Sequence, residues 1–226
     1  MNAQASWALG LGLLFAVVDW AAVIRANKRV EYVFKPAALL AIIAGALLLV
    51  DRTGWHWVAL WFVPALGASL LGDVFLMLRD DRWFLPGLVA FLMAQICYII
   101  GFNETVPPAT SLWLLVPVAV LDWLVLSRVV RGTRDSGAPE MDVPVILYGL
   151  VLSLTLFSGW ATWFRPGWSD PARLLASAGT TLFFASDLML AWDRFVRQSR
   201  VLQVAVIITY HLAQLALAVV IGLAPR

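Results

Sequence analysis

Eight separate apolar stretches, each close to the length needed to cross a bilayer, take up most of this sequence. They fall at roughly 5–24, 33–50, 56–78, 83–102, 110–127, 143–163, 173–192 and 201–223. A helix needs about 20 residues to span the hydrocarbon core. Lipid offers the backbone no hydrogen-bond partners, so segments of this length must satisfy their own N–H and C=O groups as helices. The expected fold is therefore all-α, an integral membrane bundle of about eight transmembrane helices forming a single domain over residues 1–226. Composition agrees: 62% of residues are hydrophobic and 13% charged, against about 25% charged in a soluble domain. The stretch 131–142 (RGTRDSGAPEMD) reads as a polar loop, Pro144 as a first-turn proline, and Pro64 and Pro117 as residues inside helices three and five.

Charge placement orients the bundle. Twelve of the sixteen Lys and Arg fall in or beside the first, third, fifth and seventh loops, from Arg25, Lys28, Arg29 and Lys35 through Arg79 and Arg82 to Arg194, Arg197 and Arg200. The other side holds Arg52, Arg165, Arg173 and Arg226. Positive residues accumulate on the cytoplasmic side, which predicts both termini outside and a multi-pass protein of the cell membrane, a bacterial inner membrane by its look. The first span carries no Lys or Arg before it and a basic cluster after it, the wrong polarity for a cleaved signal. Trp7, Trp55, Trp57, Trp160, Trp163 and Trp168 near one interface, and Trp20, Trp83 and Trp192 near the other, form the expected belts. The one cysteine, Cys97, lies in an apolar stretch and reads as a core residue.

The polar residues inside the spans carry the functional information, because a charged side chain at helix centre costs on the order of 3 kcal/mol on insertion scales. Asp73 lies six residues before Arg79, and Asp187 six before Asp193. That puts both carboxyls roughly 9 Å inside the basic boundary. Asp19, Asp122, Lys35 and Tyr148 fall at the same depth. Such residues persist in membranes when they pair or when they work. For Asp19 and Asp122, closer to structural company, a packing network is the favoured reading. For Asp73 and Asp187, each preceded by a small residue (Gly72, Ser186) that leaves room beside the carboxyl, function is favoured. Gln95 with Tyr98 on helix four, and Tyr210 with Gln214 on helix eight, are spaced so that each pair faces one neighbour. His211 is deep in helix eight and reads as a satisfied hydrogen-bonder; His56 lies near the opposite interface, so the two cannot build a three-ligand zinc site. No metal, cofactor or nucleic-acid partner is expected; the bilayer itself is the obligatory partner.

An internal echo accompanies these residues. Leu70-Leu71-Gly72-Asp73-Val74-Phe75-Leu76 resembles Phe184-Ala185-Ser186-Asp187-Leu188-Met189-Leu190 four helices later, both descending toward the basic side. A four-plus-four parallel duplication would explain it, and membrane folds built from repeats place their site at the repeat interface.

Phe34-Lys35-Pro36, Ser69-Leu70-Leu71-Gly72-Asp73, then Gly87, Phe91 and Tyr98, then Gly179 with Ser186-Asp187, and finally Tyr210 with Gln214 form an ordered set. In this order and spacing the chain resembles the YhhN-like family of membrane proteins, which includes the lysoplasmalogenases. The resemblance implies a multi-spanning hydrolase that acts on a lysophospholipid, cleaving the vinyl ether bond of lysoplasmalogens to a fatty aldehyde and a glycerophospho-base. Gln95 departs from the pattern, standing where many relatives have His, so a histidine acid/base on helix four is ruled out here. Vinyl ether cleavage needs a proton at the outer alkene carbon and an ionised group near the resulting oxocarbenium ion, much as glycosidases divide labour between two carboxyls. Asp73 and Asp187 are the expected catalytic pair facing a shared pocket, without distinction as to which is the acid. Lys35 is expected to hold the lipid phosphate or to keep one Asp ionised. Tyr148, Tyr210 and Gln214 are expected to position substrate or water, with Asp19, Asp122, Gln95 and His211 as secondary candidates. The rival readings are a proton-coupled transporter and a non-catalytic structural protein.

Overall fold

Hydropathy and hydrogen-bond closure give the helices seen in the computed structural model, which describes residues 3–78 and 80–225. Arg79 and Arg226, both part of the charge argument, lie outside the described residues. The long helices are α1 (Ala3–Ile24), α2 (Lys28–Thr53), α3 (Trp57–Met77), α4 (Phe84–Phe102), α5 (Leu115–Asp135), α6 (Asp142–Ala161), α7 (Asp170–Phe195) and α8 (Arg200–Val220). Eight helical segments are long and apolar enough to cross a membrane. The chain is a multi-pass membrane protein, and no strand occurs among the described residues.

Two boundaries differ from the sequence expectation. The stretch 131–135 is the last turn and more of α5 rather than loop, since helix continues through polar residues once they face water. The turn comes at Gly137, whose φ of +79° an L side chain rarely adopts. There the Asp142 carboxylate, opening α6, accepts from Thr133 Oγ1 and, at 2.6 Å, from Arg134 Nε, fixing the α5–α6 corner. Pro117 lies in the first turn of α5, behind a 3-10 segment over 109–114, where its missing N–H leaves nothing unsatisfied. Pro64 lies inside α3 as expected, and Pro36 inside α2 just after Lys35.

Seven helices close a ring by packing α1 on α2, α2 on α3, α3 on α4, α4 on α6, α6 on α7, α7 on α8 and α8 back on α1. Helix α8 also reaches α2 and α3, so it fills the middle. Helix α5 sits outside the ring on α6 and α7 and exposes Val116, Val120 and Trp123. The core is aromatic: Phe62 meets Tyr98 and Phe102 edge-on at 4.9 Å each, and Phe183 lies against Tyr98 and Tyr210. Close approach of α3 and α4 depends on glycine. A Cβ at Gly72 would stand 2.5 Å from Phe91 Cδ2, and one at Gly87 2.6 Å from Leu76 Cδ2. At the end away from the basic loops, Arg165 staples two connections. It donates to Thr105 O at 2.8 Å and to Asn103 Oδ1 at 2.6 Å, while Asn103 donates to Ser158 Oγ.

Candidate active site

Asp73 and Asp187 sit on neither loops nor surfaces but on the ring's inner face, 1% and 8% exposed. Each has its own set of partners. Lys35 on α2 places Nζ 3.0 Å from Asp73 Oδ1, and Tyr210 on α8 donates to Asp73 Oδ2 at 2.7 Å. The Lys35 ammonium also lies 5.9 Å from the centre of the Tyr210 ring. Both carboxylate oxygens are thereby occupied. Across the bundle, Tyr148 on α6 donates to Asp187 Oδ2. The Gln95 carboxamide on α4 lies beside Tyr148 and Asp187, although it makes no hydrogen bond of ordinary geometry. The two carboxyls share no hydrogen bond, but Asp187 feels the charge of Asp73 electrostatically.

The two sets correspond position by position. Each Asp takes a partner from the preceding helix (Lys35 on α2, Tyr148 on α6) and meets a polar side chain from the last helix of the opposite half (Tyr210 on α8, Gln95 on α4). The packing of α4 on α6 and of α8 on α2 matches that exchange. Between the sets, Tyr98 donates to Gln214 Oε1 at 2.7 Å, while Phe91 meets Tyr210 edge-on at 5.8 Å.

The remaining candidates fall in place around these sets. Asp19 on α1 is fully buried, neither of its oxygens has a hydrogen-bond partner, and it acts on Lys35 through charge alone. Its neighbour Trp20 donates to His211 Nδ1 at 3.1 Å, which puts the His211 proton on Nε2. Asp122 on α5 is buried against Ser153 and Gly149 of α6, away from both carboxyls of the central pair. The small residues before the aspartates do not hold open space. The Phe91 ring fills the gap at Gly72, and Ser186 Oγ donates to Val206 O of α8. Gln95 and Tyr98 do not direct their polar groups at one neighbour either, although the Tyr98 ring touches Phe183 of α7. Tyr98 turns to α8 and Gln95 toward α6 and α7, because three positions along a helix leave two side chains about 60° apart.

Two cavities meet at these residues. One is a narrow, almost wholly apolar slot walled by Leu88, Phe91, Leu126, Leu152 and Phe195, with Asp187 and Tyr148 among its lining. Asp187 is its one carboxyl; Asp73 is not on its wall. The other opens at the basic end and is lined by Lys28, Glu31, Lys35, Asp193, Arg194 and Arg200. Leu76, Phe84 and Leu190 line both. Leu76 and Leu190 stand three positions beyond Asp73 and Asp187, on the same helix faces. The two cavities share these three wall residues, but Asp73 lines neither of them, so the expected shared pocket for the two carboxyls is not what the structure shows: Asp187 faces the apolar slot, and Asp73 reaches the charged cavity through its bond to Lys35. Sequence reasoning gave no role to Leu76, Phe84 and Leu190, which are apolar residues in an apolar background, and named Phe91 only among the residues of the family resemblance. The internal echo, which includes a Leu three positions after each Asp, was the one available signal.

No group of three or more His, Cys, Asp or Glu able to hold a metal ion occurs among the described residues.

Comparison with known proteins places the chain among relatives of one family. Lysoplasmalogenase TMEM86B of Homo sapiens is 33% identical over 153 residues, covering 67% of this chain and 58% of that protein. Lysoplasmalogenase TMEM86B of Sus scrofa is 29% identical over 164 residues, covering 72% of this chain and 63% of the relative. A lysoplasmalogenase of Mycobacterium tuberculosis is 26% identical over 160 residues, covering 69% and 58%. The matched part of the chain therefore spans about three fifths of the length of these relatives. No solved structure matches. The sequence profile of the YhhN family matches residues 30–221, which takes in every member of both carboxylate sets, and the chain belongs to that family.

Proposed function

We infer that this chain is a membrane hydrolase that cleaves the vinyl ether bond of lysoplasmalogens, releasing a fatty aldehyde and a glycerophospho-base, with Asp73 and Asp187 as its catalytic pair. The observation that carries this reading is a pair of adjacent cavities that share Leu76, Phe84 and Leu190 as wall residues, an apolar slot lined by Asp187 and a charged vestibule lined by Lys35, the partner of Asp73. A single-chain ether lipid has the same order of parts: hydrocarbon chain, vinyl ether, glycerol, phosphate and base. With the chain in the slot and the headgroup in the vestibule, the vinyl ether comes to the shared wall, beside Asp187. Lys35, on the vestibule wall and bonded to Asp73, then faces the glycerophosphate. Tyr148 and Tyr210 hold the two carboxyls in orientation, and Gln214, which accepts from Tyr98, lies beside the Tyr210 phenol. The names of the relatives point to the same substrate class.

The four-plus-four duplication fits the matched partner sets, with α4 and α8 exchanged between halves. The basic loops support a cytoplasmic location for the vestibule, with both termini outside in a bacterial inner membrane. The test is direct: protein purified in detergent, given lysoplasmenylethanolamine, releases aldehyde. A transporter acts only across a sealed membrane, so absence of aldehyde from folded protein refutes the enzymatic reading.

A further inference from the structure

The two carboxyls are buried alike but are not chemically alike, and the difference assigns their roles. Asp73 has an ammonium in contact and a phenol on its second oxygen. Around Asp187 the facing groups are the Tyr148 phenol from α6, the Gln95 carboxamide from α4 and, at longer range, the Asp73 charge from α3. Among the described residues, no Lys, Arg or His nitrogen lies within 4.0 Å of it. The surrounding charge is already committed. Asp19 and Glu31 also act on Lys35, Glu31 is held by Lys28 at 2.8 Å, and Arg194 of α7 itself turns to Asp81 at 2.7 Å. A buried carboxylate needs a cation or a full set of donors to stay ionised. Asp73 meets that condition and Asp187 does not. Tyr148 donates to Oδ2 of Asp187, which leaves Oδ1 to carry a proton. Asp187 is also the carboxyl on the wall of the apolar slot, where the alkene carbon of a threaded chain would lie.

We propose that Asp187 is the protonated general acid and Asp73, held by Lys35 and Tyr210, the ionised partner, a division of labour that rests on the vinyl ether reading given above. Asp187 gives its proton to the outer alkene carbon, whose π pair forms the new C–H bond, and the adjacent carbon becomes an oxocarbenium ion facing the Asp73 carboxylate. Water adds to that carbon and its released proton goes to Asp73, giving the hemiacetal. The hemiacetal hydroxyl then returns a proton to Asp187 as the C=O of the aldehyde forms. The C–O bond to glycerol breaks with its electron pair on oxygen, which takes the proton from Asp73. Both carboxyls return to their starting states, and water is the one co-reactant. Asp73 thus needs its lysine for charge, and Asp187 needs its isolation from one.

Infrared spectroscopy of the substrate-free protein, with aspartate carboxyls isotopically labelled, reads this assignment without any turnover. Asp187→Asn is expected to remove one carboxylic-acid C=O band, and Asp73→Asn to remove none. Lys35→Met is expected to add one as Asp73 becomes neutral. Tyr148→Phe, in which the acid loses its donor, is expected to shift the Asp187 band, and it serves where Asp187→Asn does not fold. Loss of an acid band in Asp73→Asn, or an unchanged acid region in both Asp187→Asn and Tyr148→Phe, overturns the assignment. Because the spectra need no lipid, that result stands apart from failure of the aldehyde assay, which tests the reaction itself.

Discussion

Replacing Gly72 by alanine tests whether the packing beside Asp73 shapes the slot. The new Cβ would stand 2.5 Å from Cδ2 and 2.6 Å from Cε2 of Phe91. Carbon atoms rest at about 3.5–4.0 Å, so the ring must retreat by roughly 1 Å or the helices must part. Retreat is hindered, because the Phe91 ring is held edge-on by Phe183 at 6.3 Å and Tyr210 at 5.8 Å. Overpacking of this kind costs about 1–3 kcal/mol. Phe91 also walls the slot, and Tyr210 carries the hydrogen bond to Asp73, so the displacement reaches both cavity and carboxyl. A misplacement of about 1 Å in a catalytic arrangement can cost on the order of 100-fold in rate. Aldehyde release by Gly72→Ala should therefore fall about 10- to 100-fold, with a lowered unfolding temperature in detergent. Gly67→Ala on the same helix is the control, since a Cβ there meets nothing within 4 Å. The double variant Gly72→Ala with Phe91→Leu should recover part of the stability. Wild-type stability and turnover in Gly72→Ala would refute the packing argument.

Other expectations follow from the same geometry. Asp73→Asn and Asp187→Asn should each abolish aldehyde release while leaving the protein in the membrane fraction; retained turnover in either removes that residue from the pair. Lys35→Met, which strips the cation from a buried carboxylate, should destabilise the fold by about 3–5 kcal/mol, lower turnover per folded molecule and raise the apparent Michaelis constant, and a neutral effect on all three would detach Lys35 from Asp73. Arg165→Met should lower the unfolding temperature, since charge-assisted hydrogen bonds contribute roughly 1.5–3 kcal/mol, yet leave turnover per folded molecule unchanged. Incubation with EDTA should leave aldehyde release unaltered; inhibition would overturn the metal-free chemistry.

The helices were legible because the bilayer leaves a spanning segment one way to satisfy its backbone, so hydropathy alone located all eight to within a few residues except at α5. There the apolar stretch ends near Leu126, while the helix runs to Asp135, because lipid exposure and helical propensity stop at different places. The depth at which Asp73, Asp187, Lys35 and Tyr148 meet was also legible, since an ionisable group inside a span is costly and stands out. Partner choice was not. That Tyr210 turns to Asp73 while Tyr98, on α4, bonds Gln214 depends on how α8 fills the ring, a long-range packing fact with no local signature. The wall shared by the two cavities was equally hidden, because Leu76 and Leu190 differ from dozens of other apolar residues by where the helices place them.

Proton delivery to the outer alkene carbon is the central claim, and hydrolysis in D₂O measures it most directly. Lysoplasmenylethanolamine turned over in deuterated buffer, with the aldehyde trapped at once and weighed by mass spectrometry, should carry one solvent deuterium on the carbon next to the carbonyl. Aldehyde released without that deuterium, or the same yield from the saturated alkyl ether, would contradict the account.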